Sequence, residues 1–260
     1  MIRLATHAMG TRFEIVLPGE NEQGLRAVGE EAIREIEEWH RRLSRFEPGS
    51  DTSRLNREPG ARVDGEMAAL LSLCDRVRVE SDGAFDVRCG PNRSFDFGAV
   101  GKGWALDRAA AVLREHGVDQ ALLHGGTSSV ITLGAPPGAG GWRIAIRSDG
   151  EPLDVVLNDQ ALGVSAPMGS REASSGDFIG TRSSPHILDP RTGLGAMCAD
   201  TAAVIVPLDL ENAGSFADVW STTLIVTGSR PTCMSPDLES HIHTRSGGWS
   251  SHRPSIMESV

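Results

Sequence analysis

The sequence predicts an α+β fold: a single domain of helices packed on a mixed, largely antiparallel sheet. Two observations carry this. Helix-like and strand-like segments do not alternate regularly, which argues against a doubly wound parallel sheet. A run of short strand signals between positions 120 and 206 is punctuated by glycine-rich breaks, with helical stripes on either side of it. No internal repeat, low-complexity tract or linker divides the chain, so residues 1–260 are taken as one domain, with 231–260 as a closing hairpin and tail.

From the N-terminus, Thr11 to Leu17 places Phe13, Ile15 and Leu17 on one face and reads as a strand, ended by Pro18-Gly19. Asn21 is the N-cap of a long helix with an apolar stripe of Leu25, Val28, Ala32, Ile36, Trp39 and Leu43. Its other face carries Glu30, Glu31, Glu37, Glu38, Arg41 and Arg42, and is expected to be solvated. Arg45 to Asn56 reads as a loop or short turn. Asp64 caps a second helix that uses Met67, Leu70, Leu71, Cys74 and Val77, and Ser81-Asp82-Gly83 is a turn. Gly101 to His116 is a third helix with Ala105, Ala109, Val112 and Leu113 inward and Gly117 as its stop. Strands follow over 120–124, 129–133, 142–147, 153–157 and 202–206. A last helix covers roughly 210–226, and 238–244 with 249–252 forms a closing hairpin.

The formal charge of −10, with 35 acidic against 25 basic residues and no Lys/Arg run, excludes the basic patch of a nucleic-acid binder. No apolar run approaches the ~20 residues of a transmembrane helix. Met1 to His7 lacks the apolar core of a signal peptide and carries no lipoprotein-type Cys, so a cytoplasmic location is expected. Cys74, Cys89, Cys198 and Cys233 are scattered without metal-ligand spacing and read as free thiols. His241 and His243 alternate on a strand and read as an exposed polar edge.

Three segments stand out chemically. Asp218 and Thr222 lie four apart in an apolar helix, one turn from each other on one face, and offer two oxygen ligands suited to Mg²⁺. Asp96 to Asp107 carries glycines at 98, 101 and 103 just where a helix begins, with Lys102 among them, an arrangement suited to phosphate. His186 to Gly193 places an imidazole, a candidate general base, before an Asp-Pro turn. Each segment alone also fits a structural role: a glycine-rich helix start, a surface turn, or a helix with one polar face. Together they point to a metal-assisted nucleotide-phosphate site.

In this order the segments resemble the ApbE family of FAD:protein FMN transferases. The family's D-x-G-x-x-x-K-G-x-x-x-D pattern matches Asp96 to Asp107, its H-I-x-D-P-x-T-G matches His186 to Gly193, and its A-D-x-x-x-T matches Ala217 to Thr222. Flanking similarity includes Met9-Gly10-Thr11, 43–56 and 83–91, so the resemblance spans nearly the whole chain. It implies an Mg²⁺-dependent enzyme that moves FMN from FAD, its substrate, to a Thr or Ser hydroxyl of an acceptor flavoprotein and releases AMP. Some members instead hydrolyse FAD, and a non-catalytic flavin binder could keep the same fold. By this resemblance Asp218, Thr222 and the carbonyl of Ala99 bind the metal. Asp96 and Lys102 contact FAD, with Lys102 also neutralising charge on the phosphates, and His186 is the base. Phe46 is the aromatic beside a ring of the ligand, in a chain with no tyrosine. Met9, Gly125, Gly126, Ser165 and Leu188 fall in segments that line the site. Only residues 92–95 stand between Cys89-Gly90-Pro91 and Asp96, where family members carry a longer insertion. The family's T-S-G reads Val164-Ser165-Ala166 here.

Overall fold

A computed structural model describes residues 1–58, 60–167 and 186–254. Its main sheet has eight strands: β1 (Ile2–Ala8), β2 (Thr11–Leu17), β3 (Ala121–Gly125), β4 (Ser129–Leu133), β7 (Gln160–Ser165), β8 (Thr201–Pro207), β9 (Glu239–Thr244) and β10 (Gly248–His252), side by side in that order. Every neighbouring pair is antiparallel, so the sheet is antiparallel throughout rather than mixed. A separate hairpin joins β5 (Trp142–Ile146) to β6 (Leu153–Leu157).

The sheet has two covered faces, and the alternation along its strands shows which residue goes where. In β8, Ala202, Val204 and Val206 enter the large core under the helices, while Ala203 and Ile205 enter a smaller core with Ile146, Val155 and Leu157 of the β5–β6 hairpin. A strand buried on both sides has no reason to alternate, which explains the unbroken apolar run of 202–206. The large core receives α1 (Glu22–Leu43), α3 (Gly65–Glu80), α4 (Gly101–Glu115) and α5 (Ala213–Thr227). Trp39 of α1 meets Trp104 of α4 edge to face, ring centroids 5.4 Å apart.

The anticipated caps of α1 and α3 are present. Asn21 Oδ1 accepts from Gly24 N at 3.1 Å and Asp64 Oδ1 from Met67 N at 2.9 Å. Residues 45–56 are not all loop: Ser50 caps a short helix, α2 (Asp51–Arg57), accepting from Ser53 N at 2.9 Å. Arg42 is not solvated either. It reaches Asp51 at 2.8 Å and Asp64 at 2.7 Å, with its guanidinium 4.2 Å from the Trp39 ring centroid, and so ties α1 to the starts of α2 and α3. Strands β1 and β7 were not anticipated: β1 is an edge strand with a weak apolar face, and β7 contains Gly163, which interrupts the pattern. His241 and His243 are buried rather than an exposed edge. Ile242 between them enters the helix-side core, so both imidazoles face the hairpin side, where His241 Nδ1 lies 2.7 Å from Ser251 Oγ. No described helix is long and apolar enough to cross a membrane.

Candidate active site at the joint of two helices

Neither α4 nor α5 supplies a side-chain cap from its own N-cap residue. Each is capped by the other. Asp218, in the second turn of α5, accepts from Gly103 N of α4 at 2.7 Å. Asp107, in the second turn of α4, accepts from Gly214 N and Ser215 N of α5, both at 2.8 Å, and from Ser215 Oγ at 2.6 Å. The first turn of a helix carries unpaired N–H groups and the positive end of its dipole, so each carboxylate sits where negative charge is favoured.

Close approach makes this exchange possible. A Cβ on Gly103 would stand 2.2 Å from the Gly214 carbonyl oxygen, so the helix starts touch backbone to backbone. On the sheet side, a Cβ on Gly163 would stand 2.3 Å from the Ala217 carbonyl oxygen. Ser129 of β4 is the cross-strand partner of Gly163, and its hydroxyl donates to Asp218 at 2.8 Å (Oδ1) and 3.1 Å (Oδ2). Asp218 is therefore held by two donors, from α4 and from the sheet, and is buried. Burial pushes its carboxyl up to about 7, and the charge of Asp107 adds to that. Lys102, the Ser129 hydroxyl and the Gly103 N–H pull it back down. Asp107 is pushed up to about 6 by burial, against the opposing bonds from Ser215 and Gly214.

One turn after Asp218, Thr222 Oγ1 lies 3.1 Å from Ser165 Oγ at the end of β7, and Ser165 Oγ lies 2.8 Å from Ser221 Oγ. Ala99 precedes α4. The N–H four residues on from it, Gly103, is committed to Asp218 rather than to the Ala99 carbonyl. Asp218, Thr222, Ser165 and the Ala99 segment thus gather around one joint, with Lys102 close enough to act on Asp218.

The other anticipated residues make contacts of their own. Asp96 closes the turn before α4, accepting from Gly98 N at 2.9 Å and pairing with Arg45 at 2.7 Å. Met9 and Gly10 form the β1–β2 turn with φ of 50° and 73°, as a two-residue I′ hairpin requires. Met9 N donates to His40 Nδ1 at 3.1 Å, and its sulfur lies 3.6 Å from where a Cβ on Gly101 would be. Phe46 is 81% exposed, with the Arg45 guanidinium 4.9 Å from its ring centroid. Gly125 and Gly126 have structural reasons of their own. A Cβ on Gly125 would meet the Phe13 ring at 2.7 Å; Gly126 has φ of 61° and would meet Thr11 Oγ1 at 2.4 Å. His186 is exposed, and its N–H donates to the Pro167 carbonyl at 3.0 Å, two residues beyond Ser165. Leu188 is at the surface, bridged to Gly195. Two surface cavities, about 330 Å³ beside Arg114 and Asp159 and about 310 Å³ beside Arg88 and Phe95, include none of these residues.

The sequence reading left Ser129 and the role of Asp107 unassigned. Gly163 and Gly214 were the available signals, since an isolated glycine in a strand or helix start marks close backbone approach.

The oxygens gathered here, the Asp218 carboxylate and the Thr222 and Ser165 hydroxyls, are of the kind a hard cation takes. Asp218 is the strongest indication. A buried carboxylate raised to about 7 has less compensating positive charge than its burial calls for, and a bound cation would supply it. Among the described residues no group of three or more His, Cys, Asp or Glu gathers to hold a metal, so such a site rests on one acid and neutral oxygens.

An antiparallel sheet covered by helices, with oxygen groups gathered where two helices begin, places the chain in the α+β class. The ApbE family model matches residues 9–95 and 90–234. An FAD:protein FMN transferase of Klebsiella pneumoniae (strain 342) is 24% identical over 277 residues, covering 85% of this chain and 77% of that protein. One of Rhodobacter capsulatus is 33% identical over 174 residues, covering 64% of this chain and 31% of that longer protein. A mutant of the flavin transferase ApbE from Vibrio cholerae superposes with a TM-score of 0.77 at 20% identity, over 98% of this chain and 97% of its own. The ApbE protein of Thermotoga maritima superposes at 0.76 and 19% identity, with 96% of each chain covered. The chain belongs to the ApbE family, and with it to the transferases.

Proposed function

We propose that this chain is an Mg²⁺-dependent FAD:protein FMN transferase that uses FAD as substrate and joins FMN to a Thr or Ser hydroxyl of an acceptor flavoprotein. The observation that carries this is the buried Asp218 carboxylate, fixed by Gly103 N and Ser129 Oγ one helical turn from Thr222. Asp218, Thr222 and the Ala99 carbonyl would hold the metal, which when bound neutralises charge on the diphosphate.

The chain's own groups do the rest. The α4 start and Lys102 favour the diphosphate by their positive charge. Met9, Phe46, Asp96, Gly125, Gly126, Ser165 and Leu188 border the space for the dinucleotide. The acceptor hydroxyl forms a new P–O bond to the FMN phosphorus, the bond to the bridging oxygen breaks, and AMP leaves. His186 takes the hydroxyl proton. Positioning supplies most of the rate in such phosphoryl transfers.

The test is AMP release from FAD with and without an acceptor protein carrying a Thr or Ser target, across Mg²⁺ concentrations. Acceptor-dependent AMP release with covalent flavin on the acceptor supports the proposal. Free FMN released without acceptor would make the chain an FAD pyrophosphatase, and no AMP under any condition would make it a flavin binder.

A further inference from the structure

We infer that Asp107 is a positioning residue for the metal site, acting through the reciprocal cap between α4 and α5 and not by touching metal or substrate. The inference rests on the function proposed above. Asp107 uses both carboxylate oxygens on the first turn of α5: Oδ1 accepts from Gly214 N, and Oδ2 from Ser215 N and Ser215 Oγ. Asp218 follows Ser215 by three residues and turns back to cap α4 at Gly103, four residues before Asp107. The two capping contacts close a ring: Gly103 to Asp107 along α4, Asp107 to Gly214 and Ser215, along α5 to Asp218, and back to Gly103.

Within that ring the axial position of α5 relative to α4 is set by Asp107. A shift of α5 by a fraction of a turn would carry Asp218 and Thr222 away from the Ala99 segment together, because both ride on the same helix. Neither helix has a local substitute: Asn212, before α5, has φ of 58° and caps nothing with its side chain, and Val100, before α4, has no side chain that could cap. Asp107 is half-buried, and both of its carboxylate oxygens are taken by these donors. It is therefore committed to the joint and not free to serve as a ligand.

Groups that orient metal ligands from behind typically contribute about 10- to 100-fold in metal affinity. Asp107→Asn keeps the shape but places an amide N–H₂ against donors it cannot satisfy. The experiment titrates Mg²⁺ alone into the full chain by calorimetry, for wild type, Asp107→Asn, Ser215→Ala and Leu70→Ala, with Tm measured for each. Leu70 lies in α3, buried in the core and bonded to none of the groups of the joint, and controls for simple loss of stability.

The expected result is Mg²⁺ binding weakened about tenfold or more in Asp107→Asn, less in Ser215→Ala, and unchanged in Leu70→Ala despite its lower Tm. AMP release by Asp107→Asn should recover at high Mg²⁺, which a folding defect alone would not allow. If Asp107→Asn does not fold, Ser215→Ala still removes one of the three bonds and decides the question. Wild-type affinity in the Asp107 and Ser215 variants, with Tm lowered, would overturn the inference and leave the proposed function standing. Absence of Mg²⁺ binding by wild type would overturn the metal reading itself.

Discussion

Gly103→Ala sets two effects of opposite sign against each other at the centre of the site. Helix propensity favours alanine over glycine in a helix by about 0.8–1.0 kcal/mol, so a local reading predicts stabilisation. The geometry predicts the reverse. The added Cβ would stand 2.2 Å from the Gly214 carbonyl oxygen, 2.5 Å from its carbon and 2.8 Å from Ser215 N, all main-chain atoms with no rotamer to yield. Restoring ordinary contact requires the two helix starts to part by roughly 1 Å, a strain of the kind that costs about 1–3 kcal/mol in packed interiors. The same parting lengthens Gly103 N to Asp218 and the three bonds to Asp107, weakening these four by about 0.5 kcal/mol apiece. Strain and weakened bonds together exceed the propensity gain, leaving a net loss of about 2–4 kcal/mol. In a chain of this size that lowers Tm by roughly 5–15 °C. Thermal unfolding followed by circular dichroism without metal, with Mg²⁺ titration of the folded variant, reads both consequences. A Gly103→Ala protein as stable as wild type and binding Mg²⁺ equally well would refute the close helix joint on which the site is built.

Ser129→Ala removes the hydroxyl that donates to both Asp218 oxygens; AMP release should fall more than tenfold, with Tm lowered by a few degrees. The pH dependence of the metal-free protein has a definite sign. Asp218 and Asp107 are raised from 3.8 to about 7 and about 6, so the folded state holds more protons than the unfolded one across that window. Their contribution to stability is fully present below about 3.8, declines as pH rises, and is gone above about 7. Tm should therefore be higher at pH 5.5 than at pH 8, and Asp218→Asn should flatten most of that slope in differential scanning calorimetry while abolishing AMP release. Met9→Asn, with the residue best suited to φ of 50° before Gly10, should stabilise the β1–β2 turn by a few tenths of a kcal/mol in chemical denaturation, and a KM for FAD raised several-fold would place the Met9 side chain against the ligand.

What the sequence revealed follows from how local each signal is. Asn21 and Asp64 announce their helices because a cap is a contact over three residues, and both make the bond their spacing implies. Asp218 with Thr222 is equally local, one turn of one helix, so their placement on one face was visible. Ser129 reaches Asp218 across 89 residues and Asp107 reaches Ser215 across 108, and no spacing rule joins residues that far apart. Gly163 hid β7 for a related reason. In a strand read alone it is a gap, and only the Ala217 carbonyl packed above it explains why no side chain is tolerated there. His241 and His243 were misread because their alternation marks a face without saying what covers it, and the β5–β6 hairpin lies on that face.

Asp218 also shows why the joint is built from helix starts rather than from a cluster of acids. A second carboxylate in contact with Asp218 would raise its pKa further and favour its protonated form in the absence of metal. Here the nearest acid, Asp107, spends its charge on the N–H groups of α5, while Asp218 faces one N–H, one hydroxyl and the field of Lys102. That balance leaves the buried carboxyl raised to about 7 and short of compensating positive charge, which a bound cation would supply. Asp218→Asn removes the buried charge while its amide oxygen can still accept from Gly103 N, so at pH 8 it should stabilise the metal-free joint and abolish Mg²⁺ binding, and stability and metal affinity move in opposite directions in that variant.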